Sequence, residues 1–133
     1  MINLFKKNNE GQALVELALV LPILLLLVFG IIEFGRVFGT YLMVTHSARE
    51  GARAAAVGAL DEEIKALVEE RTSALHLNKD KVNIHITPGE IYRSRGDGIS
   101  IQVEYPLKIH LPIISIFIGD SYNVKSHITM RME

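Results

Sequence analysis

Hydrophobic residues run almost without interruption through the first third of the chain and alternate with polar residues in the rest. From Leu17 to Ile32 sixteen successive residues carry no charge, and from Ala13 the run is twenty residues long with Glu16 as its single charge. A helix needs about 20 mainly apolar residues to span a bilayer. The pattern therefore predicts a membrane-spanning helix, which opens a longer helical arm from about Gln12 to Val57.

The part of this arm beyond the apolar run is rich in small residues. Gly35 and Gly39 lie four residues apart, and Gly51 follows among alanines at the same spacing. Glycine inside a helix costs ~1 kcal/mol relative to alanine, whereas small residues at this spacing let helices approach closely. We expect these glycines to serve helix packing, and Pro22 to bend the arm where neighbouring helices satisfy the freed carbonyl. The alternative is that the alanines merely favour helix and the glycines are incidental.

After Gly58 the pattern becomes periodic. A second helix is indicated by an apolar face with helical spacing, formed by Leu60, Ile64, Leu67, Val68 and Leu75. Alternating apolar positions then predict strands over about 82–86, 99–105, 107–111 and 122–132. One face of such a sheet is apolar, so the arm, the second helix or both should cover it. The prediction is an α+β fold, with a long N-terminal transmembrane and assembly helix, a further helix and a small, mainly antiparallel sheet.

The segment between Pro112 and Gly119 is apolar except for one serine. It fits a further strand, a short helix or a loop. Exposed, it would form an apolar patch of the kind that marks an interface or a membrane contact. Burial under the sheet is an equally good interpretation.

Composition narrows the classes of function. Fourteen basic residues stand against fifteen acidic ones, and the longest basic run is Lys6-Lys7, so nothing favours nucleic acid as a partner. The chain has no cysteine, which excludes disulfides, thiolate metal sites and a cysteine nucleophile. It has no phosphate-binding loop or nucleophile elbow either. We therefore predict that the protein is not an enzyme and has no cofactor.

The histidines raise the possibility of a metal site. His85, His110 and His127 are predicted on the polar face of their strands, where neighbouring strands could bring them together. No spaced ligand motif accompanies them. Solvated histidines are the favoured interpretation, and no metal is predicted.

The single charge in the apolar run is the main candidate for a functional residue. An ionised carboxylate costs on the order of 2.5–3.5 kcal/mol at the bilayer centre on insertion scales. Cleavage after Gly11 would create an α-amine on Gln12 and make Glu16 the fifth mature residue. In a bundle of staggered helices, the amine of one chain could then meet Glu16 of its neighbour. The alternative is an unprocessed chain whose Glu16 lies at the level of the lipid headgroups.

These residues resemble a known pattern. A short leader ending in glycine, a glutamate at the fifth mature position and a long apolar helix resemble the class III signal peptides of type IV pilins and pseudopilins. More narrowly, the stretches 18–22, 29–36 and 48–53 are similar to the TadE-like pilin family of tight-adherence (Flp) pili. The resemblance covers about residues 8–58. It implies a prepilin leader at 1–11, a membrane-spanning and assembly helix at 12–58, and an extracytoplasmic α+β domain at 59–133.

The resemblance implies a minor pilin or pseudopilin that takes part in pilus assembly and adhesion. Gly11 and Gln12 would be the processing site of a prepilin peptidase, and Glu16 would serve assembly. The expected partners are that peptidase, other pilin subunits through the N-terminal helix, and inner-membrane lipid. The N-terminus would be cytoplasmic and the C-terminal domain periplasmic or extracellular, in the membrane or in the pilus.

Two departures from the major pilins of this system favour a minor component. Leu17 follows Glu16 where major Flp pilins usually carry an aromatic residue, and 133 residues exceed the length of those very short subunits. A second hypothesis stays open beside this one. It is an unprocessed single-pass membrane protein whose extracytoplasmic domain binds a ligand or a metal.

Overall fold

The computed structural model describes residues 9–74 and 76–133. Most of the predicted leader, with Lys6 and Lys7, and also Leu75 lie outside the described residues. The elements, in chain order, are helices α1 (Asn9–Ala56) and α2 (Asp61–Ser73), strands β1 (Asn83–Thr87) and β2 (Gly98–Lys108), helix α3 (Pro112–Ile118) and strand β3 (Ser121–Arg131). Short 3₁₀ turns lie at Lys79–Lys81 and Glu90–Tyr92. The predicted α+β fold is confirmed.

Helix α1 contains forty-eight residues and includes Pro22 in its interior. At 1.5 Å per residue it extends over roughly 70 Å. Its side chains are exposed from Gln12 to Val28, and Glu33 is the first buried residue after them. Gly58, with a φ of 90°, follows the end of the helix in the left-handed region that glycine adopts without strain. The first half of α1 is thus unpartnered in the single chain, and the second half belongs to the globular part.

The three strands form one antiparallel sheet in the order β1-β2-β3. In the middle of the sheet, Ile86 of β1 pairs with Ile101 of β2, and Ile101 pairs with Ile128 of β3. Every second residue of β2 from Ile99 to Leu107 is buried, as the alternating pattern predicts. The sheet therefore has one apolar face, which needs a cover.

Helix α1 provides this cover by lying against β2 and β3, while α2 packs against α1. The contact residues of α1 repeat at intervals of three and four, which keeps them on one face of a helix. They are Val44, Ala48, Ala52 and Ala55, all fully buried. Ile64 and Val68 of α2 complete the same core. The C-terminal half of α1 and the segment after it consequently share one hydrophobic core.

A nearly buried arginine, Arg93, connects the turn between α1 and α2 to the loop after β1. The guanidinium of Arg93 donates hydrogen bonds to the carbonyl oxygens of Ala59 (3.2 Å) and Pro88 (3.0 Å). It also forms an ion pair with Asp61, at the start of α2. The connection between β1 and β2 is thereby held beside the turn between α1 and α2.

One expectation about the strands was wrong, and so was one of the two interpretations of the segment before β3. The predicted separate strand over 107–111 does not form, because β2 continues through Pro106 to Lys108. Proline is tolerated there because Asn83, the first residue of β1, pairs with Glu104, so Pro106 lies beyond the register with β1. The segment after Pro112 is a short helix, and the interpretation that it is buried under the sheet is wrong, since Ile116 and Phe117 are 79% and 85% exposed.

Candidate functional site

The exposed half of α1 is the most unusual surface of the molecule. Within the described residues, α1 is long and apolar enough to cross a membrane, with a mean hydropathy of 2.9 over its most apolar window. None of that window is buried inside the protein. A helix that is hydrophobic all round and uncovered is typical of a membrane span. One such N-terminal helix is compatible with a single-pass membrane protein.

The three residues predicted to act in processing and assembly lie in the first turns of this helix. Gly11, Gln12 and Glu16 are all helical, and Gln12 and Glu16 are exposed. Since they are four residues apart, Gln12 and Glu16 lie on the same face, about one turn from each other. The carboxylate of Glu16 is therefore directed towards the surroundings of the chain and not into its core.

A cluster of polar groups, here called the Glu33 cluster, lies where the apolar run ends. It consists of the side chains of Glu33, Arg36 and His110 and the carbonyl of Lys108. Glu33 is 5% exposed, and its Oε1 accepts a hydrogen bond of 3.1 Å from the backbone N–H of His110. The same oxygen lies 3.4 Å from Nη2 of Arg36. The guanidinium of Arg36 also contacts the Lys108 carbonyl and Nδ1 of His110.

The Glu33 cluster joins α1 to the end of β2. Its charges compensate each other, which offsets the cost of burying a carboxylate. Sequence reasoning did not assign a role to Glu33 or Arg36, although both stand in the 29–36 stretch that carries the resemblance. The available signal was an acidic and a basic residue three positions apart, directly after sixteen uncharged residues.

Helix α3 follows this cluster immediately and leaves a large apolar surface uncovered. Ile113, Ile116, Phe117 and Ile118 are exposed to between 49% and 85%. Between α3 and α1 runs an apolar groove of about 450 Å³. The groove is lined by Gly30, Glu33, Phe34, Val37, Ile109, Ile114, Ile118 and Tyr122. The surface of α3 is thus continuous with the surface of α1 near the end of the apolar run.

The glycines predicted to serve helix packing lie in two different environments. A Cβ built on Gly51 would come within 2.9 Å of Cγ2 of Val68, so α1 and α2 approach each other closely at this point. A Cβ built on Gly35 or Gly39 would meet nothing within 4 Å. Both of these border a groove of about 440 Å³ beside the end of β2. Pro22 lies in the exposed half of α1.

The polar face of the sheet holds an ion pair between Lys125 and Glu104. Lys125 Nζ lies 3.1 Å from Oε1 of Glu104, and the amide of Gln102 donates a hydrogen bond of 2.6 Å to the same oxygen. The bond from Lys125, and after it the bond from Gln102, lowers the pKa of Glu104 below its ordinary value. This arrangement is a surface ion pair on the side of the sheet away from the core.

The histidines do not come together as the sequence allowed. His85 and His127 both pair with Gln102 in the register and therefore flank it on the polar face. His110, expected on that face too, lies beyond the end of β2 and contacts Arg36. Among the described residues no group of three histidine, aspartate or glutamate side chains is arranged to hold a metal ion.

Comparison with known proteins identifies the N-terminal segment. Residues 11–53 match the family model described as TadE-like protein, which confirms the resemblance to that family. No curated protein and no solved structure matches the chain. The matched residues comprise the exposed half of α1, the Glu33 cluster on its helical side and most of the buried half. The match covers about a third of the chain and shows that this segment is similar to TadE-like proteins.

Proposed function

We propose that this protein is a minor pilin or pseudopilin that inserts in the bacterial inner membrane and takes part in assembling a tight-adherence pilus and in adhesion. The observation that carries the proposal is the coincidence of two segments. The family match at residues 11–53 begins at the proposed cleavage glycine and contains the whole exposed apolar part of α1. A helix of this kind needs either lipid or other helices around it.

Processing is the first step of the proposed function. A prepilin peptidase recognises Gly11 and cuts before Gln12, which removes the leader 1–11 and leaves α1 as the membrane anchor. The new α-amine of Gln12 then lies one helical turn from Glu16 of its own chain. The leader with Lys6 and Lys7 stays on the cytoplasmic side, and the α+β domain of residues 59–133 faces the periplasm or the cell exterior.

Assembly is the second step. When anchors of several subunits pack side by side with a stagger of a few residues, Glu16 of one subunit accepts the α-amine of the next, which satisfies a carboxylate that is otherwise costly in hydrocarbon. Gly35 and Gly39 support this step because the space beside them is open in the single chain. Gly51 serves packing within the chain, against Val68. The partners of the protein are then other pilus subunits, the peptidase and lipid.

N-terminal sequencing of the protein extracted from membranes tests the proposal. In cells with an active prepilin peptidase the mature chain is expected to begin at Gln12, and in cells without that peptidase at Met1. A variant with Gly11→Val serves as a second test, because a branched side chain before the bond should block cleavage. A chain that begins at Met1 in the presence of the active peptidase contradicts the proposal and favours an unprocessed single-pass membrane protein.

A further inference from the structure

Helix α3 exposes a surface that is apolar and carries no charge, which is unusual for a surface in contact with water. No residue from Pro112 to Ile118 is charged. Ile116 and Phe117 are among the most exposed large apolar side chains of the described residues. Contiguous apolar patches of this kind on soluble domains mark interfaces or lipid contacts. The question is therefore what covers α3.

The height of α3 along α1 is fixed by the Glu33 cluster. Because the backbone N–H of His110 is bonded to Glu33, and the carbonyl of Lys108 to Arg36, the chain enters α3 beside residues 33–36 of α1. The groove between the two helices has Gly30, Phe34 and Val37 on its α1 side. Helix α3 thus lies next to the last turn of the apolar run.

The same level is where the outer surface of a bilayer falls. Twenty residues from Ala13 to Ile32 rise about 30 Å, which equals the thickness of the hydrocarbon core. Glu33 and Arg36 then lie at the outer boundary, with exposed Lys108 beside them. Basic side chains at this depth are suited to lipid phosphates, and aromatic and aliphatic side chains to the boundary between headgroups and acyl chains.

We infer that α3 is a second membrane-contacting element, which lies in the outer headgroup region with Ile116 and Phe117 directed into lipid. This inference rests on the proposed function, since it requires that α1 spans the membrane. Lipid is favoured as the occupant because the exposed surface of α3 continues the surface of α1 that already has to be in lipid. Two contacts, one by α1 and one by α3, fix the orientation of the α+β domain on the membrane.

The absence of tryptophan from the chain permits a direct test, because each substitution introduces a single fluorescent indole. Phe117→Trp reports on α3. Tyr92→Trp is the matched control, since Tyr92 is an aromatic residue of similar exposure (80% against 85%) on the turn beside the start of α2. Phe29→Trp reports on insertion of α1. Each full-length variant is reconstituted in phosphatidylcholine–phosphatidylglycerol vesicles, with or without brominated acyl chains that quench indole on contact.

The expected result is that brominated lipid removes most of the emission of the Phe29→Trp and Phe117→Trp variants and leaves that of Tyr92→Trp unchanged. Iodide in the aqueous phase should quench the emission of Tyr92→Trp and leave the emission of the other two variants unchanged. Bromine near the carboxyl end of the acyl chain should quench Phe117→Trp more than bromine near the methyl end, because α3 lies at the surface.

Four results would overturn the inference; three of them leave the proposed function intact, and the fourth contradicts both. If only Phe29→Trp is quenched by lipid while Phe117→Trp is quenched by iodide, α1 is inserted but α3 faces water. If Phe117→Trp is shielded from both quenchers, another protein copy covers α3. Equal lipid quenching of Phe117→Trp and Tyr92→Trp means that the domain adheres to vesicles without a specific contact. If Phe29→Trp is not quenched by lipid, α1 does not insert, and the proposed function fails together with the inference.

Discussion

At the scale of single residues, Glu33 shows how a charge at the end of an apolar run acquires a structural role. Such a residue could simply be solvated at the membrane surface. Instead its carboxylate is almost completely buried, accepts a hydrogen bond from a backbone N–H and forms an ion pair with a guanidinium. The bond from His110 reaches across 77 positions of the sequence. Glu33 therefore connects the end of the apolar helix to the end of the central strand.

Replacing Glu33 by alanine should accordingly lower the free energy of unfolding by about 2 kcal/mol, the range of a lost hydrogen bond to a charged group. Glu50→Ala is the matched control on the same helix. Glu50 lies 3.9 Å from Arg71 in a half-exposed ion pair, for which about 1 kcal/mol or less is expected. Denaturant unfolding of the two variants in detergent micelles provides the measurement. Equal losses in both variants would contradict the structural role of Glu33.

The sequence was sufficient to find some of these residues and not others. A close neighbour was expected for each glycine of the arm, because glycine inside a helix is unfavourable by itself; the structure has one beside Gly51 and none beside Gly39. That neighbour, Val68, could not be identified. Glu33 could not be found in this way. Its hydrogen-bond donor is the backbone N–H of His110, and a backbone group gives no signal in the sequence because every residue type except proline has one. Partners that lie many positions away leave no local signal in one sequence.

At the scale of elements, the same substitution should have opposite effects at two places on α1. Gly51→Ala places a methyl group 2.9 Å from a fully buried valine and is expected to destabilise the protein by about 1 kcal/mol or more, since overpacking outweighs the gain in helix propensity. Gly39→Ala meets open space and should stabilise the single chain by about 0.5–1 kcal/mol. Thermal unfolding of both variants in detergent measures the difference.

A stabilising effect of Gly51→Ala would mean that α1 and α2 do not approach as closely as the distances indicate. For Gly39→Ala a second measurement is informative, because the proposed function assigns that position to packing between subunits. If the variant is more stable as a single chain and yet enters the pilus poorly, the open space beside Gly39 belongs to a partner helix. Normal entry would remove Gly39 from the assembly contact.

Element types followed from the pattern more reliably than element neighbours did. The length of the apolar run predicted α1, and helical spacing and alternation predicted α2 and the three strands, because burial on one face imposes a period on a sequence. They failed at Pro106, where the tolerance of a proline depends on how far β1 extends beside β2. They also failed to decide the surroundings of α3, since an apolar segment has the same pattern under a sheet and on a membrane.

At the scale of the whole molecule, the buried half of α1 joins the exposed apolar half of the helix directly to the α+β part of the chain. Val44, Ala48 and Ala52 of the helix pack in the same core as Ile101 of β2 and Val68 of α2. The Glu33 cluster holds this core to α1 at the end of the apolar run. A displacement of the exposed helix is therefore transmitted directly to the sheet. Under the proposed function, a change at the first turns of α1 is expected to alter the placement of the domain in an assembly and to leave its fold unchanged.

Glu16 provides the corresponding test. Glu16→Gln keeps the size of the side chain and removes the charge, so cleavage after Gly11 and the stability of the domain should be unchanged, while incorporation into sheared pili should be lost because no carboxylate is left for the neighbouring α-amine. Glu10→Gln is the matched control, since Glu10 belongs to the leader that the proposed cleavage removes and would be absent from the mature subunit. Immunoblots of pilus and membrane fractions, with N-terminal sequencing of each, measure both steps. Incorporation of a correctly cleaved Glu16→Gln protein at the level of Glu10→Gln would contradict the pairing of amine and carboxylate. A block confined to Glu16→Gln would instead support the carboxylate as the acceptor of the α-amine of the next subunit.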